Sequence, residues 1–291
     1  MVTRWHPAAH ADDPAMVMPQ LMDLVKRSGD YLVDKGIANG RREAEWIFME
    51  ALGFARLDLY TRFDMPLDPP QVDRLRTLVT RRGRREPLAY VLGHQPFRTL
   101  RLAVTPAVLV PRPETEALID LVLADLPQDG RLLDVGTGSG AIALAVRHAR
   151  PDAQVEATDT SAEALVVARA NAATLGLEVT FHHGHLAAHL SGPYAVIVAN
   201  LPYIGEAERD VCDPELAHEP AQALFSGPDG LDLITALVAD APRLLAPGGV
   251  LWLEHGFRQG DAIRALAAAH GLACTIHRDA AGHERCARLQ H

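Results

Sequence analysis

The spacing of apolar residues changes twice along this chain. Between residues 17 and 90 it is helical. Leu21, Leu24 and Val25 share one face, Ala44, Ile47, Phe48, Ala51 and Leu52 share another, and Leu75, Leu78 and Val79 repeat the interval. Gly53 follows the second run as a helix stop. The pattern predicts a small helical bundle ending near Arg85. From Pro96 to Val110 the rhythm turns to short alternation, as in Leu100-Arg101-Leu102-Ala103-Val104, which predicts a β-hairpin. Pro113 then opens a helix to Leu123, with Glu114 and Glu116 in the first turn, where the helix dipole favours acids.

After Gly130 short apolar runs alternate with helical ones. Strands are predicted at Arg131–Val135, Val155–Thr158, Val179–His182, Tyr194–Ala199, Val250–Glu254 and Cys274–His277, and helices at Ala141–Arg150, Ala162–Leu175, Leu231–Leu245 and Gln259–His270. Such alternation implies an α/β domain, a doubly wound (Rossmann-like) parallel sheet covered on both faces. A last run, Cys286–Leu289, is expected to pair antiparallel beside the strand before it. The expected organisation is a flexible tail over 1–16, a helical domain over 17–90, a hairpin linker over 91–112 and the α/β domain over 113–291.

Composition narrows the setting. No apolar run approaches the roughly 18 residues that cross a bilayer, and residues 1–16 lack the basic-then-apolar order of a signal peptide. Cys212, Cys274 and Cys286 are few and widely spaced, which suits free thiols better than a disulfide framework or a zinc pair. A cytoplasmic protein with no membrane partner is expected. The net charge is −9, unevenly spread: residues 17–90 carry 13 Lys/Arg against 11 Asp/Glu, and residues 91–291 carry 14 against 24. An acidic domain repels phosphate backbones, so direct DNA binding is not expected. Arg81-Arg82-Gly83-Arg84-Arg85 is the strongest basic cluster, read either as a solvated helix end or as a contact for an acidic partner or RNA. His182, His183 and His185 lack a carboxylate or cysteine to complete a ligand set, so no metal is expected.

The candidate chemistry sits at strand ends. Asp134, Gly136, Thr137, Gly138, Ser139 and Gly140 form a glycine turn where the first strand of the α/β domain meets its helix. Glycines there let the backbone turn tightly and approach a ligand. Gly136, Gly138 and Ala141 also satisfy a dinucleotide fingerprint, so a nicotinamide cofactor remains an alternative. Asp134 favours S-adenosyl-L-methionine, because its carboxylate suits the cationic amino-acid end of that cofactor and repels a pyrophosphate. Asp159, ending the next strand, suits ribose hydroxyls in either case. The strand over Tyr194–Ala199 runs into Asn200-Leu201-Pro202-Tyr203 at the same sheet edge. An amide nitrogen is a poor nucleophile because its lone pair is delocalised into the carbonyl. Asn200 Oδ1 and a backbone carbonyl of this loop are suitable acceptors for its two N–H groups, and Tyr203 is placed to pack on the flat amide. Catalysis would then come mainly from orientation.

These residues resemble the bacterial glutamine-N5 methyltransferases of peptide chain release factors, often called HemK-like or PrmC type. The resemblance runs from about Asp23 to the C-terminus. It is carried by Arg85-Glu86-Pro87-Leu88-Ala89-Tyr90, by Val110-Pro111-Arg112-Pro113-Glu114-Thr115-Glu116, by Asp134 to Gly140, by Thr158-Asp159 and by Glu219-Pro220 with Ala223 to Leu231. Pro247-Gly248-Gly249, Glu254 with Gly256, and Asp279 to Arg285 complete it. It implies a class I methyltransferase domain behind an N-terminal helical bundle that recognises substrate. It also implies that Gly136 to Gly140, Asp159, Leu186 and Asn200 bind S-adenosyl-L-methionine, and that Asn200 to Tyr203 hold the glutamine of a Gly-Gly-Gln loop in class 1 release factors, with Asn200, Pro202 and Tyr203 catalytic. A monomer is expected.

Two positions depart from the family pattern. Leu201 stands where the family loop has its first proline, and His185 stands where an acid is expected near the adenine. Glutamine methylation of a ribosomal protein, adenine methylation in nucleic acid and a cofactor-binding relative with an impaired loop stay open as alternatives.

Overall fold

The computed structural model describes residues 18–291, and the expected tail over 1–16 lies outside the described residues. The chain divides into two compact units, one ending at Val91 and one spanning Leu92–His291.

The first unit holds α1 (Leu21–Asp34), α2 (Gly40–Leu52), α3 (Arg56–Thr61), α4 (Pro69–Gly83) and the start of α5 (Leu88–Leu92). Local signals set its ends. Gly53 stops α2 in the left-handed region at φ 68. Asp68 accepts from Gln71 N, and Gln71 returns the bond to Asp68 N, a capping box ahead of Pro69. Leu21, Leu24, Leu32, Ile47, Phe48, Leu59 and Leu75 form the buried centre. The basic cluster serves this unit internally. Arg82 is buried against Glu43, Arg81 binds Glu86 and the Tyr90 carbonyl, and Arg85 donates to the Gly36 carbonyl. These bonds join the end of α4 to α2 and to the turn after α1, while Arg84 is exposed.

The second unit opens with the hairpin β1 (His94–Phe97) and β2 (Leu100–Ala103). It belongs with this unit, since Phe97, Leu100 and Leu102 are buried in the same core cluster as Leu118 and Leu132. There follow α6 (Pro113–Asp125), β3 (Arg131–Val135), α7 (Ala141–Ala149), β4 (Gln154–Asp159), α8 (Ala162–Leu175), β5 (Thr180–His183) and β6 (Tyr194–Ala199). Three short 3-10 turns lead to α9 (Asp232–Leu244), β7 (Leu245–Glu254), α10 (Gly260–Ala269), β8 (Ala273–Arg278) and β9 (Glu284–Gln290).

The seven-stranded sheet has the order β5-β4-β3-β6-β7-β9-β8. The pairings among β5, β4, β3, β6 and β7 are parallel, and β9 runs antiparallel between β7 and β8. The final strand therefore pairs with the preceding one as expected, and also inserts beside β7. Period-2 alternation sends Val196 and Val198 of β6 into one core cluster and Ile197 and Ala199 into the other. The two clusters lie on opposite faces, each covered by helices, the layering read from the sequence. The strand order reverses between β3 and β6. In open α/β sheets a ligand crevice forms at that switch point, outside the carboxyl ends of the strands. No helix of the described residues is long and apolar enough to cross a membrane.

Candidate active site

A cleft opens at this switch point. Its walls include Gly136 to Ser139 after β3, Asp159 to Ser161 after β4, His185 and Leu186 after β5, and Asn200 to Pro202 after β6. Arg112 and Thr115 at the start of α6, and Pro220 and Gln222 from the 3-10 region, close another side.

The glycine turn is built for close approach. Gly136, Gly138 and Gly140 have φ of 76, 55 and 84, where an L side chain is strained. A Cβ at Gly138 would meet nothing within 4 Å, so the backbone there faces open space. The amides of the turn are mostly spent: Gly136 N and Thr137 N bond to the Thr158 carbonyl, Gly138 N to Asp159 Oδ2 and Gly140 N to the Thr137 carbonyl. A dinucleotide turn uses such N–H groups to hold a pyrophosphate. Their internal use here removes the main support for a nicotinamide cofactor. Gly140 itself does not line the cleft; a Cβ on it would come within 3.0 Å of Leu144, so glycine lets α7 sit close beneath the turn.

Asp134 also differs from its expected place. Alternation along β3 puts it on the face of Leu132, under the start of α7. There Asp134 Oδ2 accepts from Thr137 Oγ1 at 2.6 Å and from Ala143 N at 3.1 Å. It is fully buried and absent from the cleft wall, so direct pairing with a cationic ligand gives way to a role beneath the turn. Its Oδ1 has no partner. Burial, with the Asp159 charge as a lesser cause, pushes the carboxyl up to about 7. Asp159 lines the cleft as expected. Its Oδ2 accepts from Gly138 N and its Oδ1 from Ser161 N, both at 2.8 Å, which fixes the carboxylate and leaves lone pairs for further donors.

At β6 the loop divides. Asn200, Leu201 and Pro202 line the cleft, but Tyr203 does not. Tyr203 packs on the apolar cluster under the sheet, its hydroxyl makes a long contact of 3.4 Å to Glu254 Oε1, and its carbonyl accepts from Gln259 Nε2. Burial raises its hydroxyl well above the usual phenol range. These contacts anchor the far end of the loop.

Asn200 Nδ2 donates to Thr115 Oγ1 at 3.0 Å, and Thr115 Oγ1 donates to Glu254 Oε2 at 2.6 Å. Burial pushes the Glu254 carboxyl up, opposed by the bond from Thr115 and the Arg285 charge.

Leu201, at the position of a family proline, is not loose. It is 4% exposed and lies over Gly136, where a Cβ would come within 2.9 Å of its Cδ2. Leu201→Ala is expected to cost ~2–5 kcal/mol, the range for emptying a leucine site in a core. Urea unfolding checks this; an unchanged midpoint would mean that the loop is held by something else.

His182 contacts Glu156 and His183 the Thr160 carbonyl, while His185 lines the cleft. Among the described residues no group of three or more His, Cys, Asp or Glu gathers as a ligand set.

Sequence reasoning missed several positions. Asn171 on α8 bonds both polar groups of Ala103 and the carbonyl of Ser139, tying the hairpin to the glycine turn. Glu219 is buried, pairs with Arg112 and accepts from Val110 N. Thr115, Glu219 and Glu254 were noticed only as parts of motifs. The available signal for Asn171 was a polar residue on the otherwise apolar face of α8 that carries Ala164, Leu165, Ala168 and Ala172.

Residues 23–93 match the model of the PrmC N-terminal domain, and residues 113–228 match the methyltransferase small domain. A solved methyltransferase from Pyrococcus furiosus, 18% identical, covers 65% of this chain and 87% of its own with a TM-score of 0.50, a likeness of fold. The release factor glutamine methyltransferase of Geobacter sulfurreducens is 40% identical over 88% of this chain and 91% of the relative. That of Deinococcus radiodurans is 40% identical over 93% and 98%. With a class I fold, a cleft at the switch point and relatives of this closeness over nearly its whole length, the chain belongs to the release factor glutamine methyltransferases, enzymes whose methyl donor is S-adenosylmethionine.

Proposed function

We propose that this enzyme methylates the side-chain nitrogen of the glutamine in the Gly-Gly-Gln loop of class 1 peptide chain release factors. The observation that carries the reading is the fixed carboxamide of Asn200 in the cleft wall beside the glycine turn. Gly136, Thr137, Gly138, Ser139, Asp159 and Leu186 hold S-adenosylmethionine, with Gly140 and Asp134 shaping the turn beneath it. The residues suit that ligand: open backbone at Gly138, a carboxylate aligned by two amides at Asp159, and few free amides for a pyrophosphate. When bound, the cofactor supplies an electrophilic methyl group on a sulfonium.

The chain's own residues supply orientation. Asn200 Nδ2 is committed to Thr115, so Oδ1 is the atom left to accept one N–H of the glutamine. A backbone carbonyl earlier in the loop is the acceptor for the other, the Tyr203 carbonyl already accepting from Gln259. Two acceptors hold the nitrogen in a near-attack position and favour pyramidalisation, an effect of several kcal/mol. Leu201 and Pro202 shape the pocket, and Tyr203 keeps the far end of the loop in place. The enzyme acts on its release factor in the cytoplasm, as a monomer and without contacting DNA.

The test is mass spectrometry of a class 1 release factor incubated with enzyme and cofactor. One methyl group is expected on the Gly-Gly-Gln glutamine. Modification of a ribosomal protein with none on the release factor would move the substrate to that protein. Cofactor binding without methylation of either would mean a binding-only relative.

A further inference from the structure

We propose that Thr115, held by Glu254, is the positioning residue that sets which end of the Asn200 carboxamide faces the substrate. The inference rests on the assignment of Asn200 to the glutamine nitrogen and adds the device that makes Asn200 competent.

An asparagine carboxamide can present either its oxygen or its NH2 to a neighbour, and the two orientations are nearly equal in shape. Only one is useful here. An NH2 turned toward a substrate NH2 sets donor against donor. The oxygen turned toward it accepts a hydrogen bond. Asn200 therefore needs a partner that accepts from Nδ2 and refuses to donate to Oδ1.

A hydroxyl alone does not discriminate, because it both donates and accepts. Thr115 is made one-directional by its other neighbour. Its Oγ1 lies 2.6 Å from Glu254 Oε2. Glu254 is the acceptor in that bond, and its other oxygen faces the Tyr203 hydroxyl, so the single hydroxyl proton of Thr115 is committed to Glu254. What Oγ1 then offers Asn200 is a lone pair, and it takes Nδ2 at 3.0 Å. Thr115 is 4% exposed and Glu254 1% exposed, so water has little access to either partner. Burial of Thr115 and Glu254 makes the wrong orientation costly, since it would leave a polar group unpaired there.

The elements explain the reach. Asn200 follows β6, Glu254 ends the neighbouring parallel strand β7, and Thr115 lies in the first turn of α6. Glu254 also meets the Tyr203 hydroxyl, so one buried carboxylate braces both the first and the last residue of the loop.

Four variants test the inference by single-turnover methylation of release factor. Thr115→Val keeps the shape and removes the hydroxyl. It should lower kcat by about 10- to 100-fold, the scale of losing a partner that orients a reacting group, with the Kd for S-adenosylhomocysteine and the KM for release factor within a few-fold of wild type. Thr115→Ser keeps the hydroxyl and should rescue most of that loss. In an Asn200→Ala background Thr115→Val should have no further effect, because the residue it orients is gone. Thr115→Ala is expected to repeat the loss and carries the test if valine does not fold. A stable Thr115→Val or Thr115→Ala enzyme with wild-type kcat would overturn the inference. So would an equal loss in the wild-type and Asn200→Ala backgrounds, which would mark Thr115 as structural only. A wild-type enzyme that methylates no release factor would sink the substrate assignment instead, an outcome distinct from either.

Discussion

Replacing Asn200 by alanine should lower kcat roughly 30- to 1,000-fold, about 2–4 kcal/mol in the transition state, by analogy with removing one preorganised hydrogen-bonding group from an active site. The loss should fall on kcat rather than on cofactor affinity. The nucleophile is an amide nitrogen whose lone pair must leave conjugation with its carbonyl as the new bond forms. An acceptor aimed at one of its N–H bonds gains strength as the nitrogen develops positive charge, so it stabilises the transition state more than the bound substrate. Asn200 is braced for that task through Thr115 and Glu254 before substrate arrives. Single-turnover rates with release factor, set beside calorimetry with S-adenosylhomocysteine, separate the two effects. Near-normal turnover in the variant would mean that the nitrogen is held by another group. A parallel collapse of cofactor binding would assign Asn200 mainly to the cofactor.

The second large effect is expected at Asp159, and it should have the opposite profile. Asp159→Ala should weaken S-adenosylhomocysteine binding by at least about 10- to 150-fold, the equivalent of one hydrogen bond to a charged group. Two causes add. The ribose loses its carboxylate acceptor, and the amides of Gly138 and Ser161 lose the oxygens that now hold them. The second cause reaches the glycine turn itself, because Gly138 N has Asp159 Oδ2 as its acceptor. Asp159→Asn retains one oxygen and should fall between wild type and alanine. At saturating cofactor the kcat of either variant should recover much of its wild-type value, since the residues around the glutamine are untouched. Unchanged affinity in Asp159→Ala would place the ribose elsewhere in the cleft. An irrecoverable kcat would mean that the turn has lost its shape altogether.

Much of the fold was legible because its signals are local. Apolar periodicity switches from helical to strand-like within a few residues, and α8 and β6 have the limits that periodicity predicts, Ala162–Leu175 and Tyr194–Ala199. Caps and stops act over one turn, as at Gly53 and at Ser161, whose side chain accepts from Ala164 N. The candidate cleft was legible for a related reason. In a doubly wound sheet every residue just past a parallel strand emerges on one edge. Gly136, Asp159 and Asn200 could therefore be grouped without knowing any distance between them.

What only the tertiary structure decided concerns polar partners far apart in sequence. Asp134 looked like a ligand residue, but the alternation of β3 turns it under α7, where Thr137 and Ala143 take it. Tyr203 was legible as part of the loop, but its partners Glu254 and Gln259 were not. The arginines at the end of α4 looked free until Glu43, Glu86 and the Gly36 carbonyl were placed beside them. Thr115 stands 85 residues from Asn200 and 139 from Glu254, so no periodicity links them. A hydrogen bond needs about 3 Å and a direction, and both are fixed only when strands and helices have packed. Sequence by itself determined which edge of the sheet carries the chemistry; packing determined which side chains at that edge face the substrate and which are spent holding the others still.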